Sequence, residues 1–434
     1  MPSPSRPRVL GIDFGTTNTV VAMASENGAI STLSLPTARG VITAFRSVLA
    51  FHEGDRGQPV AEVGPWAIED FLKHPAGTRL IQSFKTYAAS ARFDGTRIFN
   101  RTFLFEDLVA TYFRHLWRHA GDTLDPRGLP TIVGRPVTFA GADPVDALAM
   151  RRYVNAFGRG AHYVYEPVAA SLFFARGFNE DATVLVGDFG GGTSDFSITR
   201  FARDGDRMCA TPLAHAGVAC AGDSFDYQII SHAISPLLGM GGTYVSNGKT
   251  LTIPNHFYAA LARWNQLALM KWSKDMRDLR ELREQAEDRD ALDRFVELLE
   301  NDYSYALFRA VSAAKEALSS EESTHLTFRA GTIDIDRKIT RRDFERWIAG
   351  ELNEIRRTVD ETLRRAALGD SDVDKIYLTG GSSFVPAVRA IFTERFGAAR
   401  VHRGGEFESI AQGLALVGTE PDPAQWYVTG TGVA

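Results

Sequence analysis

Cysteine is almost absent: Cys209 and Cys220 are the only two in 434 residues. Two cysteines can build neither a disulfide framework nor a four-ligand zinc site, so a reducing, cytoplasmic setting is expected. Lysine is scarce as well. Of 48 basic residues only eight are lysines, at 73, 85, 249, 271, 274, 315, 338 and 375. A coding bias toward arginine explains the imbalance, and a lysine at a mechanistically demanding place is then less apt to be filler. No run approaches the ~18 apolar residues of a membrane span. The amino-terminal "MPSPSRPRVLGIDFG" has no apolar stretch of signal-peptide length. A net charge of −5 gives no electrostatic reason to expect nucleic acid or an anionic membrane surface as partner. Proline-rich or low-complexity linkers are also missing.

What remains is an ordinary globular composition, 44% hydrophobic and 23% charged, in a chain long enough for two or more cores. The first 35 residues alternate short apolar runs with turns, as a small β-meander does. Residues 104–119 carry Phe105, Leu108, Val109, Tyr112, Phe113 and Leu116 at helical spacing. His115 and His119 lie one turn apart there, and without further ligands they read as helix surface. "LPTIVGRPV" (129–137) is a buried strand, and "HYVYEPVAASLFFA" (162–175) a strand running into a helix with Pro167 in its first turn. From 182 the meander pattern returns. A helix opens near "GDSFDYQII" (222–230), and residues 254–320 are expected to be mostly helical, their charge run a solvated face. A helix at 340–367, the strand "KIYLT" (375–379), a glycine turn, the helix "VPAVRAIFTERF" and the helix "SIAQGLALVG" complete the chain.

One feature is repeated. "GIDFGTTNTVVAMA" (11–24) and "GDFGGGTSDFSITR" (187–200) share a design: apolar strand, aspartate, Phe-Gly, three small residues, second strand. The spacing is too long for a solenoid and suits a duplicated α/β fold, two lobes facing each other across a cleft. Turns of Gly, Thr and Ser can aim several backbone N–H groups into one concavity, where phosphate oxygens bind. An aspartate at the strand end repels bare phosphate but holds the water shell of Mg²⁺. Two such loops can clamp a polyphosphate from both sides, with Asp13 and Asp188 flanking one metal. Two plain hairpins with turn-forming residues would explain either loop alone, but not a matched pair followed by "YLTGGSS". A protein-kinase "DFG" is excluded because no H-R-D loop precedes it.

These residues resemble the actin-like ATPase superfamily, and within it the nucleotide-binding domain of the heat-shock protein 70 (DnaK-type) chaperones. The segments that carry the resemblance are "IDFGTTNT", "YEPVAAS", "GDFGGGTSDFSI", "AGDSFDYQII", "AAKEALS" and "YLTGGSSFVPAVRAIF", in that chain order. The resemblance implies an α/β, ribonuclease H-like fold of two duplicated lobes, each with a smaller subdomain. Lobe one would span 1–181 and lobe two 182–405, with a helical subdomain at about 223–320. Residues 406–434 would form a helix returning toward lobe one and a short tail. It implies ATP or ADP as ligand, with Mg²⁺ and K⁺ as candidate cations. Gly15, Thr16, Thr17 and Asn18 would hold phosphates from lobe one, and Gly190, Gly191, Gly192 and Thr193 from lobe two. Asp13, Asp188 and Asp195 would position Mg²⁺, largely through water. Lys85, in "LIQSFKTY", would reach the γ-phosphate and the attacking water; Glu166 would order metal-bound water. Thr193 would also serve catalysis. Gly222, Asp223, Lys315, Ser319, Gly380, Gly381, Ser382 and Phe384 would surround the nucleoside.

The sequence departs from the family at three base-side positions. Glu316 and Phe384 stand where the family stacks adenine between arginines, and Ser312 where it has a glutamate near the ribose. Pro136 matches the family's switch proline, with Arg151 or Arg152 as its expected partner. The chain ends soon after "GLALVG", as in the short bacterial members of the YegD type, so no peptide-binding domain is expected. The implied function is a slow, Mg²⁺-dependent ATPase acting as a chaperone-like switch, with an unidentified client and a J-type or nucleotide-exchange partner. A sugar-type kinase, an actin-like filament protein and a nucleotide-binding scaffold are the other functions open to this fold.

Overall fold

Each half of the repeat folds as an apolar strand that turns back on itself and then gains parallel neighbours. The structure, a computed structural model, describes residues 7–38, 40–74, 77–140, 144–204, 207–259, 261, 270, 273–301, 303–405 and 407–428. They fall into two units: Met1–Ala221 with Glu354–Ser383 and Arg389–Ala434, and Gly222–Asn353 with Phe384–Val388.

The first unit is built around two larger sheets, with smaller ones beside them. One contains β1 (Pro7–Phe14), β2 (Asn18–Ser25), β3 (Ile30–Thr32), β4 (Thr131–Arg135) and β5 (Ala161–Tyr165), in the order β5-β4-β1-β2-β3. The other contains β6 (Ala182–Phe189), β7 (Ser194–Asp204), β8 (Arg207–Val218), β9 (Lys375–Thr379) and β10 (Val401–Arg403), in the order β8-β7-β6-β9-β10. In both, the first three strands pair antiparallel, and the fourth and fifth add parallel on the other side of the first. Two sheets of one topology are the duplicated α/β fold that the sequence repeat predicts.

The central strand β6 is buried along its whole length, which is why its "ATVLV" reads as an apolar run that ends just before Asp188. The helices Glu166–Ala175 and Ser409–Val417 share one apolar cluster with both sheets. Val9, Val20, Ile132 and Val164 enter it from the first sheet, and Val184, Val186 and Phe201 from the second. Where the two helices cross, a Cβ on Gly413 would run into the backbone carbonyl of Ala169. A second core, rich in aromatics, contains Phe14, Phe84, Tyr112, Phe113 and Tyr153. It includes side chains of the helices Phe105–Ala120 and Asp146–Phe157.

In the second unit the charged run forms the helices Lys274–Arg283 and Arg289–Glu300, N-capped by Ser273 and Asp288. Exposed pairs such as Arg280–Glu300 line this helical pair, so its charge is a solvated surface. Ser304–Ser320 follows as one helix. Within the predicted helical stretch, residues 260, 262–269, 271, 272 and 302 lie outside the described residues, as do 429–434 of the expected tail. Two hairpins were not anticipated: Thr243–Ser246 with Lys249–Thr252, and Ser323–Ala330 with Ile333–Thr340. The helix expected at 340–367 is two helices, Arg341–Trp347 and Ala349–Ala366. Thr340 caps the first of them, accepting from the Asp343 N–H.

The close helix crossing yields a stability prediction. Gly413→Ala is expected to lower unfolding free energy by about 1–3 kcal/mol, because backbone must move to admit the methyl group. Gly350→Ala, on a helix with open space around the new Cβ, should be neutral or stabilising by up to about 1 kcal/mol. Urea unfolding of the two variants beside the parent checks both signs.

Candidate functional site

The two glycine-rich turns lie in the same register. In the first, Phe14 pairs with Thr19 and Asp13 with Val20, and the Gly15 N–H donates to the Asn18 carbonyl at 2.9 Å. In the second, Phe189 pairs with Ser194 and Asp188 with Asp195, and the Gly190 N–H donates to the Thr193 carbonyl at 3.0 Å. A serine from elsewhere ties down each leading glycine: Ser47 Oγ donates to the Gly15 carbonyl at 2.7 Å, and Ser382 Oγ to the Gly190 carbonyl at 3.2 Å. The loops also meet. A Cβ on Gly192 would lie 3.2 Å from Thr16 Oγ1, so any side chain there would crowd the facing loop. Gly380, at φ +80°, lets the chain after β9 pass over Phe189, whose carbonyl a side chain would strike. This places Gly380, Gly381 and Ser382 beside the second loop.

Lys85 sits on the short turn Phe84–Tyr87, anchored by Phe84, whose ring is 5.4 Å from that of Phe14. Its ammonium donates to Glu166 Oε1 at 2.7 Å, and both side chains are buried. Glu166 opens its helix directly after β5, and the missing side chain of Gly134 leaves it room, since a Cβ there would lie 3.0 Å from Glu166 Cγ.

The electrostatics follow from one cation among several carboxylates. Burial works against the Lys85 ammonium, but Glu166, Tyr153 and Asp13 outweigh it and hold its pKa far above the ordinary value. Burial, then Glu166, pushes the Asp13 carboxyl up to about 8 from an ordinary 3.8. Asp188 is raised well above that range by burial, then by Glu166, Asp13 and Asp195. Burial and Glu166 raise Asp195 to about 7, opposed by its hydrogen bonds from Thr193 and Thr138. Acids held out of water next to one another are a fit for a divalent cation. Among the described residues no three His, Cys, Asp or Glu side chains are grouped so as to hold a metal ion directly.

Asp195 differs from the other two aspartates. It is fully buried, and its Oδ1 accepts from the N–H groups of Val137 and Thr138 at 3.0 and 3.1 Å. Thr138 Oγ1 in turn donates to the Gly217 carbonyl at 3.2 Å. Asp195 therefore ties the second hairpin to the segment after β4, a use its place opposite Asp188 does not reveal.

Neither Arg151 nor Arg152 has a described bond to Pro136. Arg151 is exposed, and Arg152 donates to the carbonyls of Tyr87, Ala88, Ser90 and Phe93. The arginine at Pro136 is Arg135, only 2% exposed, whose Nε donates to the Pro136 carbonyl at 2.9 Å. It pairs with Asp146 at 2.6 Å and lies over the rings of Phe139 and Tyr165. An arginine inside the apolar run "TIVGRPV" was the available signal. His119 is not metal-like either: it bonds Glu62 at 2.9 Å and stacks on Trp66.

The remaining predicted residues fall in the second unit. Lys315 pairs with Asp226 at 2.9 Å and donates to the Gly222 carbonyl at 3.1 Å, while Ser312 Oγ donates to Asp226 Oδ2 at 3.1 Å. Asp226, buried beside Asp223 on the helix Gly222–Ile229, was missed by sequence reading. Ser319 Oγ donates to the Lys315 carbonyl, Glu316 is exposed, and Phe384 is 38% exposed.

The acid cluster predicts an inverted pH profile. For the cation-free protein, an unfolded Asp13 ionises near 3.8 while the folded one holds its proton to about 8. Raising pH through that window therefore favours unfolding. Melting temperature in chelator should fall from pH 5 to pH 8, and Asp13→Asn should flatten the fall. A profile that rises over this range would contradict the cluster.

Comparison with known proteins bears on the whole arrangement. Residues 280–422 match the family profile described as Hsp70 protein. The chain is 25% identical over 439 residues to the chaperone protein dnaK of Cyanidioschyzon merolae (strain NIES-3377 / 10D). That match covers 94% of this chain and 61% of the relative, so the chain spans about three-fifths of the relative's length.

Proposed function

We propose, from the Hsp70-type actin-like ATPase domain that this chain carries, that it binds ATP and hydrolyses it slowly as a chaperone-type switch. One observation carries the reading: two hairpins in equal register meet at Thr16 and Gly192, and both their aspartates interact electrostatically with the buried Lys85–Glu166 pair. Gly15, Thr16, Thr17 and Asn18 would cradle phosphate oxygens from one side, and Gly190, Gly191, Gly192 and Thr193 from the other. We read each sheet as the centre of one lobe, 1–181 and 182–405, with 406–434 returning to the first.

Lys85 would meet the terminal phosphate, its ammonium kept charged and aimed by Glu166. Asp13 and Asp188 would hold Mg²⁺ through its waters, and the cation would neutralise phosphate charge. Asp195 would fix the second loop in place. In the second unit Gly222, Asp223, Lys315, Ser319 and Phe384 are proposed to contact the nucleoside. Such a site works by placement and charge, with no strong general base, which is why turnover should be slow. Client proteins and co-chaperones are the class of partner that the chaperone relative suggests.

ATP turnover by the purified chain, with calorimetric binding alongside, tests this. Lys85→Met and Asp188→Asn are each expected to lower kcat by about 10²–10³. Lys85→Met should keep measurable nucleotide binding, and melting curves would confirm that the variants fold. Absence of ATP binding, with Asp13→Asn and Asp188→Asn behaving like the parent, would overturn the assignment. Stimulation by a sugar or other small alcohol would point instead to phosphoryl transfer onto a small acceptor.

A further inference from the structure

Tyr153 lies on the helix Asp146–Phe157 and is fully buried. Its ring packs among Phe14, Phe105, Phe139 and Phe157, with centroids 6.4, 6.0, 5.3 and 5.6 Å away. A phenylalanine would keep every one of those contacts. The hydroxyl is a different matter, because it is shielded from solvent and has no hydrogen-bond partner among the described residues. Leaving a buried hydroxyl unsatisfied is costly, because it gives up its bonds to water and gains none in return. An orphan of this kind in a folded protein points to a water or ligand oxygen that completes it.

Its surroundings indicate which. Phe14 joins Asp13 to the first loop, and Phe84, packed on Phe14, precedes Lys85. The aromatic cluster that seats Tyr153 is thus the one that seats two charged residues of the site. The phenol also lies within electrostatic reach of Lys85, Glu166, Arg135 and Asp13. A lysine ammonium has three N–H donors, and Glu166 Oε1 takes one from Lys85 at 2.7 Å. A bridging water needs a few polar partners in a roomy polar place. The phenol, the Lys85 ammonium and a carboxylate oxygen would be those partners.

We propose that Tyr153 is a positioning residue: its hydroxyl shares one ordered water with the Lys85 ammonium and so sets the direction of the remaining Lys85 N–H groups. The proposal rests on reading the site as one for ATP hydrolysis. Tyr153 touches no reacting atom and acts through Lys85. Tyr163 provides an internal contrast. Among the described residues its hydroxyl is buried and unpartnered too, and its ring centroid is 6.2 Å from that of Tyr153, but Tyr153 is the one charged or titratable group found to act on it.

The test compares Tyr153→Phe, Tyr163→Phe and Lys85→Met in the full chain. Tyr153→Phe should lower kcat about tenfold with KM changed less than about threefold, while melting temperature stays or rises. Tyr163→Phe should leave turnover at the parent level. In the nucleotide-free protein, nitrogen-edited NMR should find the Lys85 Nζ resonance moved by Tyr153→Phe and unmoved by Tyr163→Phe. Both variants keep the aromatic ring, so a purely packing role would move neither readout. Parental kcat and an unmoved Lys85 resonance in Tyr153→Phe would overturn the proposal. If Lys85→Met turned over ATP like the parent, the hydrolytic reading would fail, and the NMR comparison would still decide whether Tyr153 and Lys85 share a water.

Discussion

A single buried ammonium holds the candidate site together. Removing Lys85 and Glu166 from water costs several kcal/mol per ion before their attraction repays it. Repayment needs short, fixed geometry, and the surrounding chain supplies it. Phe84 locks the turn that carries Lys85 against Phe14, and the absent side chain of Gly134 opens room for Glu166. Asp13 and Asp188 then sit in the field of one carboxylate too many, which is why burial drives their protons on rather than off.

The duplication explains how two separate sheets present matching chemistry. Each apolar central strand ends in an aspartate, turns through glycine, and closes with an N–H to carbonyl bond three residues on. Each turn is then pinned from outside by a serine, Ser47 or Ser382, that occupies the leading glycine's carbonyl. On the proposed reading, tying these carbonyl oxygens down would keep them from repelling a phosphate. The symmetry breaks where Asp195 stands opposite Asp188 and Val20 stands opposite Asp13. That extra carboxylate is spent on the N–H groups of Val137 and Thr138, which hold the second hairpin against the segment after β4.

The second unit shows similar economy. Lys315, one of few lysines in the chain, is neutralised by Asp226 and held by the Gly222 carbonyl at the start of a helix. Its charge is thereby oriented before any ligand is present. The exposed Glu316 and Phe384 leave this unit without an arginine at those two places.

Much of this was legible in the chain, and what was not has a common cause. Strand and helix periodicity, the glycine turns and the Asp-Phe-Gly repeat are local patterns, set by the steric rules of neighbouring residues. They alone determined the α/β duplication and pointed to Asp13 and Asp188; Lys85 and Glu166 came only from the family resemblance. The hairpins 243–252 and 323–340 escaped because short exposed strands carry little apolar signal, although Leu326, Phe328, Ile333 and Ile335 do alternate. Asp226 beside Lys315 and the orphan hydroxyl of Tyr153 could not be found by spacing. Each depends on residues brought together from distant positions, and whether a charge or hydroxyl is buried, paired or left alone is decided only when those positions meet. The sequence by itself determined which polar groups stand on the two repeated loops; the tertiary structure decided which of them are already spent on one another, because partners and exclusion from water are properties of packing.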